Sequence, residues 1–467
     1  MTKVLRLTGM IFRQSGTLTR RIVQAVVAIA LRLFFRRIEA DGVNLVPPDG
    51  PLIFILNHPN GLIDPALVFV ALPRRVSFLA KSTLFQVPFV SFFLRTVEAL
   101  PLYRRVDAGE NNQTVSPEQN QKTFQACFEL LRQNRCIALF PEGISHNSTY
   151  LLPLKTGAAR IALGALAVNK DNLLALRMVP VGLYYTSKTS FRSEALLRFG
   201  RPFEVAPVAL DPDGQPPREA VRALSETIAE KLREVILNVE DRNSFEVVKR
   251  TEQLFSSVYE GLNFRLSLTD ELELRRRFAA QFESNQKDIG EFKSRLDIYD
   301  EHLRELGIAP EHLSVSGHSL QYVIRHFLLR ILLILILSPL IVAGAVLHLP
   351  AYLICLLVGR LIRRHGVDDS GGSPKILAAM LLMPLTWLII LGLLFWFWNW
   401  RAAIIALPSM IICGYAALRC LEELFDLLGW FKAAWVLLRH RRLFIRLLLE
   451  RRALYDKISE IISPRAK

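Results

Sequence analysis

Apolar residues crowd into the stretch from about Phe327 to Leu428, whereas the first 320 residues have the composition of a globular protein. The apolar run from Phe327 to Val358 is too long for one membrane span of roughly 20 residues and short for two. Because Pro339 and Pro350 interrupt this run, it predicts a hairpin of two short or kinked helices. Part of this chain is therefore expected to fold inside a membrane.

A second pair of apolar segments follows, from Lys375 to Trp398 and from Ala402 to Leu418. Trp396, Trp398 and Trp400 lie between them, as in the aromatic belt of a membrane interface. Basic residues flank the first apolar run on both sides: Arg325, Arg330, Arg360, Arg363 and Arg364. By the positive-inside rule, we expect transmembrane hairpins over 321–430 with both ends on the cytoplasmic face. We expect the membrane to be a bacterial inner membrane rather than the endoplasmic reticulum.

The net charge of +15 is better explained by an anionic membrane surface than by nucleic acid, because the same chain carries long apolar runs. Residues 1–40 and 431–467 each read as a basic amphipathic helix lying on lipid; for the first of them, a plain surface helix is the alternative. The five cysteines have no CxxC spacing, so neither a disulfide framework nor a zinc site is indicated.

Residues 41–237 alternate short apolar strands with helical segments, which predicts an α/β domain with a mostly parallel sheet flanked by helices. The predicted strands are Leu52–Leu56, Val76–Ala80, Cys136–Phe140, Met178–Tyr185 and Leu196–Phe199. The predicted helices are Pro65–Ala71, Pro117–Gln133, Thr156–Val168 and Pro217–Leu237. Residues 238–320 form a charged helical segment, whose charge is expected to be a solvated face.

A histidine and an aspartate follow the first predicted strand in the segment Asn57–Pro65. A carboxylate near His58 can fix the imidazole tautomer and favour the imidazolium that forms when the ring takes a proton. The alternatives are structural: Asp64 before Pro65 suits a helix start, and His58 could be a satisfied histidine at a strand end. Gly61 lies in the loop between them and suits a turn there, because glycine adopts a positive φ at little cost.

Three further blocks accompany this segment: Pro101–Arg105, Phe140–Gly143 and Val179–Gly182. Together the four blocks resemble the phospholipid/glycerol acyltransferase family, which includes the bacterial 1-acylglycerol-3-phosphate acyltransferase. The five residues between His58 and Asp64, where the family usually has four, are similar to the branch with fungal glycerol-3-phosphate/dihydroxyacetone-phosphate acyltransferases. Two later segments support the same branch, Phe191–Ser193 and Phe199–Pro202.

The resemblance implies that His58 is the general base on the acceptor hydroxyl and that Asp64 orients it. It implies that Arg104 binds the acceptor phosphate, with Arg105 sharing or replacing that role. Glu142 binds acceptor hydroxyls or orients the site, and Asn57 and Gly143 belong to the same substrate-binding set.

Two further features follow the Phe140–Gly143 block. Lys155, Thr156 and Gly157 open a helix, whose N–H groups beside a lysine suit an acceptor phosphate or the phosphates of a thioester donor. His146 is either a second base or a polar loop residue.

The implied activity is a membrane-bound transfer of an acyl group to glycerol 3-phosphate or dihydroxyacetone phosphate, without a metal or cofactor. The donor is a thioester of coenzyme A or acyl carrier protein, and the membrane lipids are partners. The nearest alternative acceptor is a lysophosphatidate or another lysophospholipid.

A lipid-binding scaffold on a degenerate fold is the non-enzymatic alternative. A transporter is disfavoured because the apolar segments lack internal repeats. A serine lipase or a zinc hydrolase is disfavoured because the sequence has neither Gly-x-Ser-x-Gly nor His-Glu-x-x-His.

Overall fold

The structure is a computed structural model that describes residues 3–4, 17–72, 74–86, 88–103, 117–168, 175–188, 190–259, 266–284, 286–310, 312–313, 320–364 and 373–462. The chain forms two compact units, of which the first comprises residues 1–238 with 363–376 and the second comprises residues 239–362 with 377–467.

A single sheet forms the centre of the first unit. Its strands, within the described part of the chain, are β1 (Lys3–Val4), β2 (Phe35–Asp41), β3 (Leu52–Leu56), β4 (Val76–Lys81), β5 (Leu100–Leu102), β6 (Cys136–Leu139), β7 (Arg177–Tyr185), β8 (Ser193–Phe199) and β9 (Phe203–Glu204). Their order is β1-β2-β8-β7-β3-β6-β4-β5, and β9 pairs with β7. Strands β7, β3, β6, β4 and β5 are parallel neighbours, whereas β8 is antiparallel to β7. The predicted mostly parallel sheet is confirmed.

Strand β3 lies in the middle of this sheet because every one of its five residues is apolar and buried. It pairs in parallel with β6 on one side and β7 on the other, with Phe54 level with Ala138 and Val179. Since the carboxyl ends of parallel strands share one edge, the loops after β3, β6 and β7 converge there. This edge carries the candidate site.

Helices cover the sheet: α1 (Leu18–Phe34), α2 (Ile63–Ala71), α3 (Pro88–Thr96), α4 (Pro117–Arg132), α5 (Gly157–Val168) and α6 (Arg218–Arg233). The short 3₁₀ helices are Val43–Leu45 and Ser82–Gln86. Buried Ile161 and Leu163 of α5 join Ile53 and Ile137 of the sheet in one hydrophobic core. The predicted helices agree with α2, α4, α5 and α6 to within a few residues, but α3 and β5 were not predicted.

Helix α1 presents two different faces. Leu18, Ile22, Val26 and Ile29 are exposed along one side, at the spacing of a helix stripe. The opposite side is buried and includes Arg20, whose guanidinium donates to backbone carbonyls of two other elements. The lipid contact expected for this helix stays a prediction. Residues 35–41 belong to β2, so the predicted helical region ends earlier than residue 40.

Arg192, from the Phe191–Ser193 motif, holds the end of α1. Its Nη1 donates to the carbonyl oxygens of Arg32, Leu33 and Phe35 at 3.0, 3.2 and 3.4 Å. The last carbonyls of a helix have no intrahelical donor, so a guanidinium there satisfies them. This motif therefore fixes the path from α1 into β2.

The second unit is helical in its described residues. Its helices are α7 (Arg242–Tyr259), α8 (Leu268–Ser284), α9 (Gln286–Leu306), α10 (Leu320–Arg364), α11 (Ser373–Phe397), α12 (Trp400–Arg439) and α13 (Arg441–Ile462). Among the described residues, two segments are long and apolar enough to cross a membrane, Phe327–Val358 within α10 and Trp400–Arg439 as α12. Leu382–Phe397 within α11 is a shorter apolar helix.

The hairpin predicted within Phe327–Val358 is wrong, because α10 is one continuous helix of 45 residues. Pro339 and Pro350 lie inside it. A proline removes one backbone hydrogen bond and bends a helix, but in an apolar region the other backbone groups still need intrahelical partners. Arg325 and Arg360 are then about 53 Å apart along the helix, at 1.5 Å per residue. The arginines flanking this run therefore do not place both of its ends on one side of the membrane.

One apolar side of α13 is packed against protein, whereas Leu443, Ile445 and Leu449 are exposed, so the lipid contact expected of residues 431–467 stays a prediction. Phe444, Leu447, Leu454 and Ile458 are at most 4% exposed. The Tyr455 ring stacks on Phe255 of α7 at 4.9 Å between centroids. Residues 431–439 belong to α12, so the predicted C-terminal helix begins later, at Arg441.

Candidate active site

The loop after β3 brings His58 and Asp64 into direct contact. Nδ1 of His58 lies 2.9 Å from Oδ2 of Asp64. A carboxylate can only accept, so Nδ1 carries the hydrogen and Nε2 presents its lone pair. The His58 side chain is 18% exposed and stacks on the Phe140 ring at 4.3 Å, whereas the Asp64 side chain is completely buried. Gly61 turns the loop with φ of +37°, as predicted.

Asp64 is held in place by more than the histidine. Its Oδ2 also accepts the backbone N–H of Asn60 at 2.7 Å, and its Oδ1 accepts the hydroxyl of Tyr185 at 2.5 Å. Burial, and then the charge and hydrogen bond of Asp64, raise the pKa of Tyr185 well above its usual range. Tyr185 therefore remains a donor. Asp64 lies in the first turn of α2, so it combines a place at a helix start with the contact to His58.

Glu142 organises the adjoining loop after β6. Its Oε1 accepts the backbone N–H of His58 at 2.9 Å, and its Oε2 accepts the N–H of Leu152 at 3.3 Å. Nε2 of His146 also donates to Oε2, while Nδ1 of His146 accepts the N–H of Ser148. Both carboxylate oxygens are thus engaged by the protein. This favours the orienting role of Glu142 over direct contact with acceptor hydroxyls.

His146 is buried, and both of its ring nitrogens are committed to hydrogen bonds. Its backbone N–H donates to the carbonyl of His58 at 3.2 Å. A histidine whose Nδ1 accepts and whose Nε2 donates is neutral and has no lone pair left for a substrate proton. The geometry therefore favours the loop role of His146 over a second base.

The segment after β7 forms hydrogen bonds with both the loop after β3 and the loop after β6. Nζ of Lys188 donates to the carbonyl of His146 at 2.9 Å, and Nδ2 of Asn60 donates to the carbonyl of Lys188 at 3.2 Å. With Tyr185, this segment contacts both the Asp64 loop and the Glu142 loop. Sequence reasoning missed Tyr185, Lys188 and Asn60, although Tyr185 sits at the carboxyl end of a parallel strand, the same position that drew attention to His58.

Asn57 and Gly143 have backbone functions in this structure. The Asn57 amide exchanges two hydrogen bonds with the backbone of Leu183, at 3.0 and 2.7 Å, and so joins β3 to β7. Gly143 has φ of +74° and donates its N–H to Phe140 at 3.0 Å. Its turn positions Glu142. Substrate contact by either residue stays a prediction.

The segment Lys155–Gly157 lies close to this edge, beside the pair of His58 and Asp64 rather than within it. The Lys155 backbone N–H donates to the Pro141 carbonyl at 2.7 Å, and its side chain is exposed. Thr156 Oγ1 accepts from Nε of Arg160 at 3.4 Å, and Gly157 is the first residue of α5. Arg104 and Arg105 lie outside the described residues, so their predicted phosphate contact stays a prediction.

The arrangement can remove a proton from a bound hydroxyl through Nε2 of His58, with Asp64 compensating the charge that forms on the ring. Across the described ranges, no group of three His, Cys, Asp or Glu side chains could hold a metal ion.

Comparison with known proteins identifies two family matches. A family described as Acyltransferase matches residues 37–184, and a family described as Glycerol-3-phosphate acyltransferase 2 C-terminal domain matches residues 252–465. Residues 37–184 thus match the acyltransferase family and residues 252–465 match that C-terminal domain, which confirms the resemblance seen in the motifs.

Two relatives come from Saccharomyces cerevisiae. The chain is 26% identical over 480 residues to glycerol-3-phosphate O-acyltransferase 1, covering 83% of this chain and 62% of that protein. It is 29% identical over 291 residues to glycerol-3-phosphate O-acyltransferase 2, covering 61% of this chain and 38% of that protein. The chain therefore spans less than two thirds of the length of these relatives.

Among solved structures, the 1-acyl-sn-glycerophosphate acyltransferase of Thermotoga maritima matches 49% of this chain and 86% of its own, with 18% identity and a TM-score of 0.32. The fold of the first unit is established by its own strand order.

Proposed function

We propose that this chain, which carries an acyltransferase-family domain, is a membrane-bound glycerolipid O-acyltransferase that acylates glycerol 3-phosphate. The observation that carries the proposal is the contact of 2.9 Å between His58 Nδ1 and Asp64 Oδ2 at the carboxyl edge of the sheet. The matches to relatives named glycerol-3-phosphate O-acyltransferase support glycerol 3-phosphate as the acceptor. Dihydroxyacetone phosphate, which has a hydroxyl and a phosphate in the same relation, is the next acceptor to test.

The reaction follows from the pair. Nε2 of His58 takes the proton of the acceptor hydroxyl as its oxygen attacks the thioester carbonyl. Backbone N–H groups at this edge stabilise the negative oxygen of the tetrahedral intermediate. The carbon–sulfur bond then breaks, and the departing thiolate takes the proton from the His58 imidazolium. The products are an ester and a free thiol, and the histidine returns to its starting state.

Two hydrogen bonds prepare His58 for this work. The Asp64 carboxylate keeps the proton on Nδ1, so that the lone pair is on Nε2, which is the only ring nitrogen free to receive the substrate proton. The Glu142 carboxylate holds the backbone of His58 itself. A scaffold protein on a degenerate fold has no need of these contacts, which favours the enzymatic reading over the lipid-binding one.

We assign membrane attachment to the apolar helices α10 and α12. The donor is a thioester of coenzyme A or acyl carrier protein. The cytoplasmic position of the α/β unit is part of the proposal and is testable by protease protection in sealed vesicles.

The test is transfer of a labelled acyl group from an acyl thioester by the full chain in detergent, with His58→Ala and Asp64→Asn compared with the wild type. A general base contributes about 10²- to 10⁴-fold to a rate, so both variants should lose activity within that range. The acceptor KM should change little. Equal activity in the wild type and His58→Ala would contradict the role of His58 as the general base.

A further inference from the structure

A groove runs along the outer surface of the first unit between α5 and α6. Its volume is about 480 Å³, within the range of roughly 300–1,000 Å³ that small-molecule sites occupy. Leu154, Val221 and Ala229 form an apolar floor. Val221 is buried in the core, and the other two pack against that core, so the floor is continuous with the rigid part of the unit.

The walls of this α5–α6 groove are basic. Arg160, Arg218 and Arg222 line it, whereas Glu226 is the one acidic residue among its lining residues. Glu226 accepts from Nε of Arg222 at 2.9 Å, which neutralises one of the three guanidinium groups. Two positive charges remain in excess. Guanidinium groups bind phosphates with paired N–H donors, so the charge of the groove is complementary to a phosphorylated ligand.

One end of the groove adjoins the candidate active site. Leu154 and Thr156 flank Lys155, whose N–H donates to Pro141 in the turn that holds Glu142. The chain after α6 returns to the same loop, because Oδ1 of Asn238 accepts the N–H of Leu151 at 2.8 Å.

Along α6 the lining extends from Ala229 back to Arg218, which is about 16 Å at 1.5 Å per residue. Ala229 lies nearer than Arg218 to the end of α6 that returns to the active-site loop. Arg160 donates from Nε to Oγ1 of Thr156 near the active-site end, so the guanidinium groups lie along the groove rather than at one end of it.

We infer that the α5–α6 groove binds the donor, with the phosphorylated nucleotide of a coenzyme A thioester at Arg160 and Arg218 and its pantetheine arm along the apolar floor toward His58. This inference rests on the proposed function, which requires a thioester at His58. The chemistry of the ligand matches the groove, because its phosphates suit the guanidinium groups and its neutral arm suits the apolar floor. A concave groove of this volume suits a nucleotide better than the surface of a carrier protein.

The test is a charge reversal at two arginines of the groove. The double variant Arg160→Glu and Arg218→Glu is compared with Arg233→Glu, an exposed arginine on α6 outside the groove. In the full chain in detergent, the double variant should raise the KM for acyl-CoA at least tenfold. Its kcat and its KM for the acceptor should stay within about twofold of the wild type. Arg233→Glu should match the wild type in all three.

Direct binding separates this inference from the proposed reaction. Calorimetric titration with coenzyme A should show weaker binding to the double variant than to the wild type and to Arg233→Glu. If the wild type transfers no acyl group but this binding pattern holds, the groove assignment stands and the reaction fails. If transfer occurs and the acyl-CoA KM of the double variant equals that of the wild type, the groove assignment is overturned. A rise in KM for acyl carrier protein thioesters alone would also overturn it.

Discussion

Tyr185 donates its hydroxyl hydrogen to Oδ1 of Asp64 at 2.5 Å, while Oδ2 of the same carboxylate accepts from Nδ1 of His58 at 2.9 Å. Tyr185 also stacks on Phe35 of β2, with 5.6 Å between ring centroids. The carboxylate that orients the histidine is therefore itself oriented from the far side, by a side chain anchored in the sheet.

Tyr185→Phe should lower kcat about tenfold or more and leave both KM values nearly unchanged. The variant removes one hydrogen bond to a charged group, worth about 1.5–3 kcal/mol, but leaves the ring and its stacking in place. Steady-state kinetics over a range of pH measure the effect. The matched control is Tyr184→Phe, whose side chain points to the other face of β7. Equal kcat values for the two variants would mean that Tyr185 does not position Asp64.

His146→Gln should reduce stability more than catalysis. The substitution leaves an amide that can still donate to Glu142, so the loop is expected to form less well rather than to fail, and kcat should fall by less than tenfold. Thermal unfolding and kinetics of the same preparation are the measurements. A loss of kcat as large as that in His58→Ala, with an unchanged melting temperature, would instead identify His146 as a second base.

Cys127 and Cys136 should resist alkylation in the folded protein. Burial raises the pKa of the Cys127 thiol to about 12 and that of Cys136 to about 11. The thiolate is the reactive form, so at pH 8 about one Cys127 in 10⁴ is ionised. Iodoacetamide labelling followed by peptide mass spectrometry should show modification of these two residues only after denaturation. Labelling at the rate of an unfolded cysteine under native conditions would contradict the buried positions.

Gly182→Ala should destabilise the first unit, whereas Gly157→Ala should be neutral or slightly stabilising. A Cβ on Gly182 would lie 2.2 Å from the backbone oxygen of Val235, which a side-chain rotation cannot relieve. A Cβ on Gly157 would have no atom within 4 Å apart from its chain neighbours and the backbone of its own helix. Overpacking of this kind costs about 1–3 kcal/mol. Thermal unfolding of the two variants tests this, and an equal melting temperature for both would contradict the close approach of Val235 to β7.

Much of the α/β unit was predictable because its strands are short apolar runs between turn residues. Strand β3 was predicted to the residue, since all five of its side chains are apolar. The start of strand β2 at Phe35 was not predicted, because the charged residues Arg36 and Arg37 follow directly. In the structure both arginines pair with Glu194 of β8, a partner that lies more than 150 residues away in the sequence.

The candidate site was predictable only in part, because some of its contacts join residues that are far apart in the sequence. His58 and Asp64 are six residues apart, so their contact is local and the motif shows it. Tyr185 reaches Asp64 across 121 residues and is brought there by the pairing of β3 with β7. The commitment of His146 to Glu142 and Ser148 likewise needs the folded loop. The continuity of α10 was mispredicted because two prolines bend a helix in one context and end it in another.

The most direct measurement offers labelled acyl-CoA to the purified full chain with glycerol 3-phosphate, dihydroxyacetone phosphate or lysophosphatidate in parallel, with His58→Ala as the control. Acyl carrier protein thioesters replace acyl-CoA if no product forms. The account predicts an acylated product with glycerol 3-phosphate that is lost at least 100-fold in His58→Ala. Product from lysophosphatidate alone would contradict the acceptor assignment. No product from either donor with folded protein, or full activity in His58→Ala, would contradict the catalytic role of the His58–Asp64 pair.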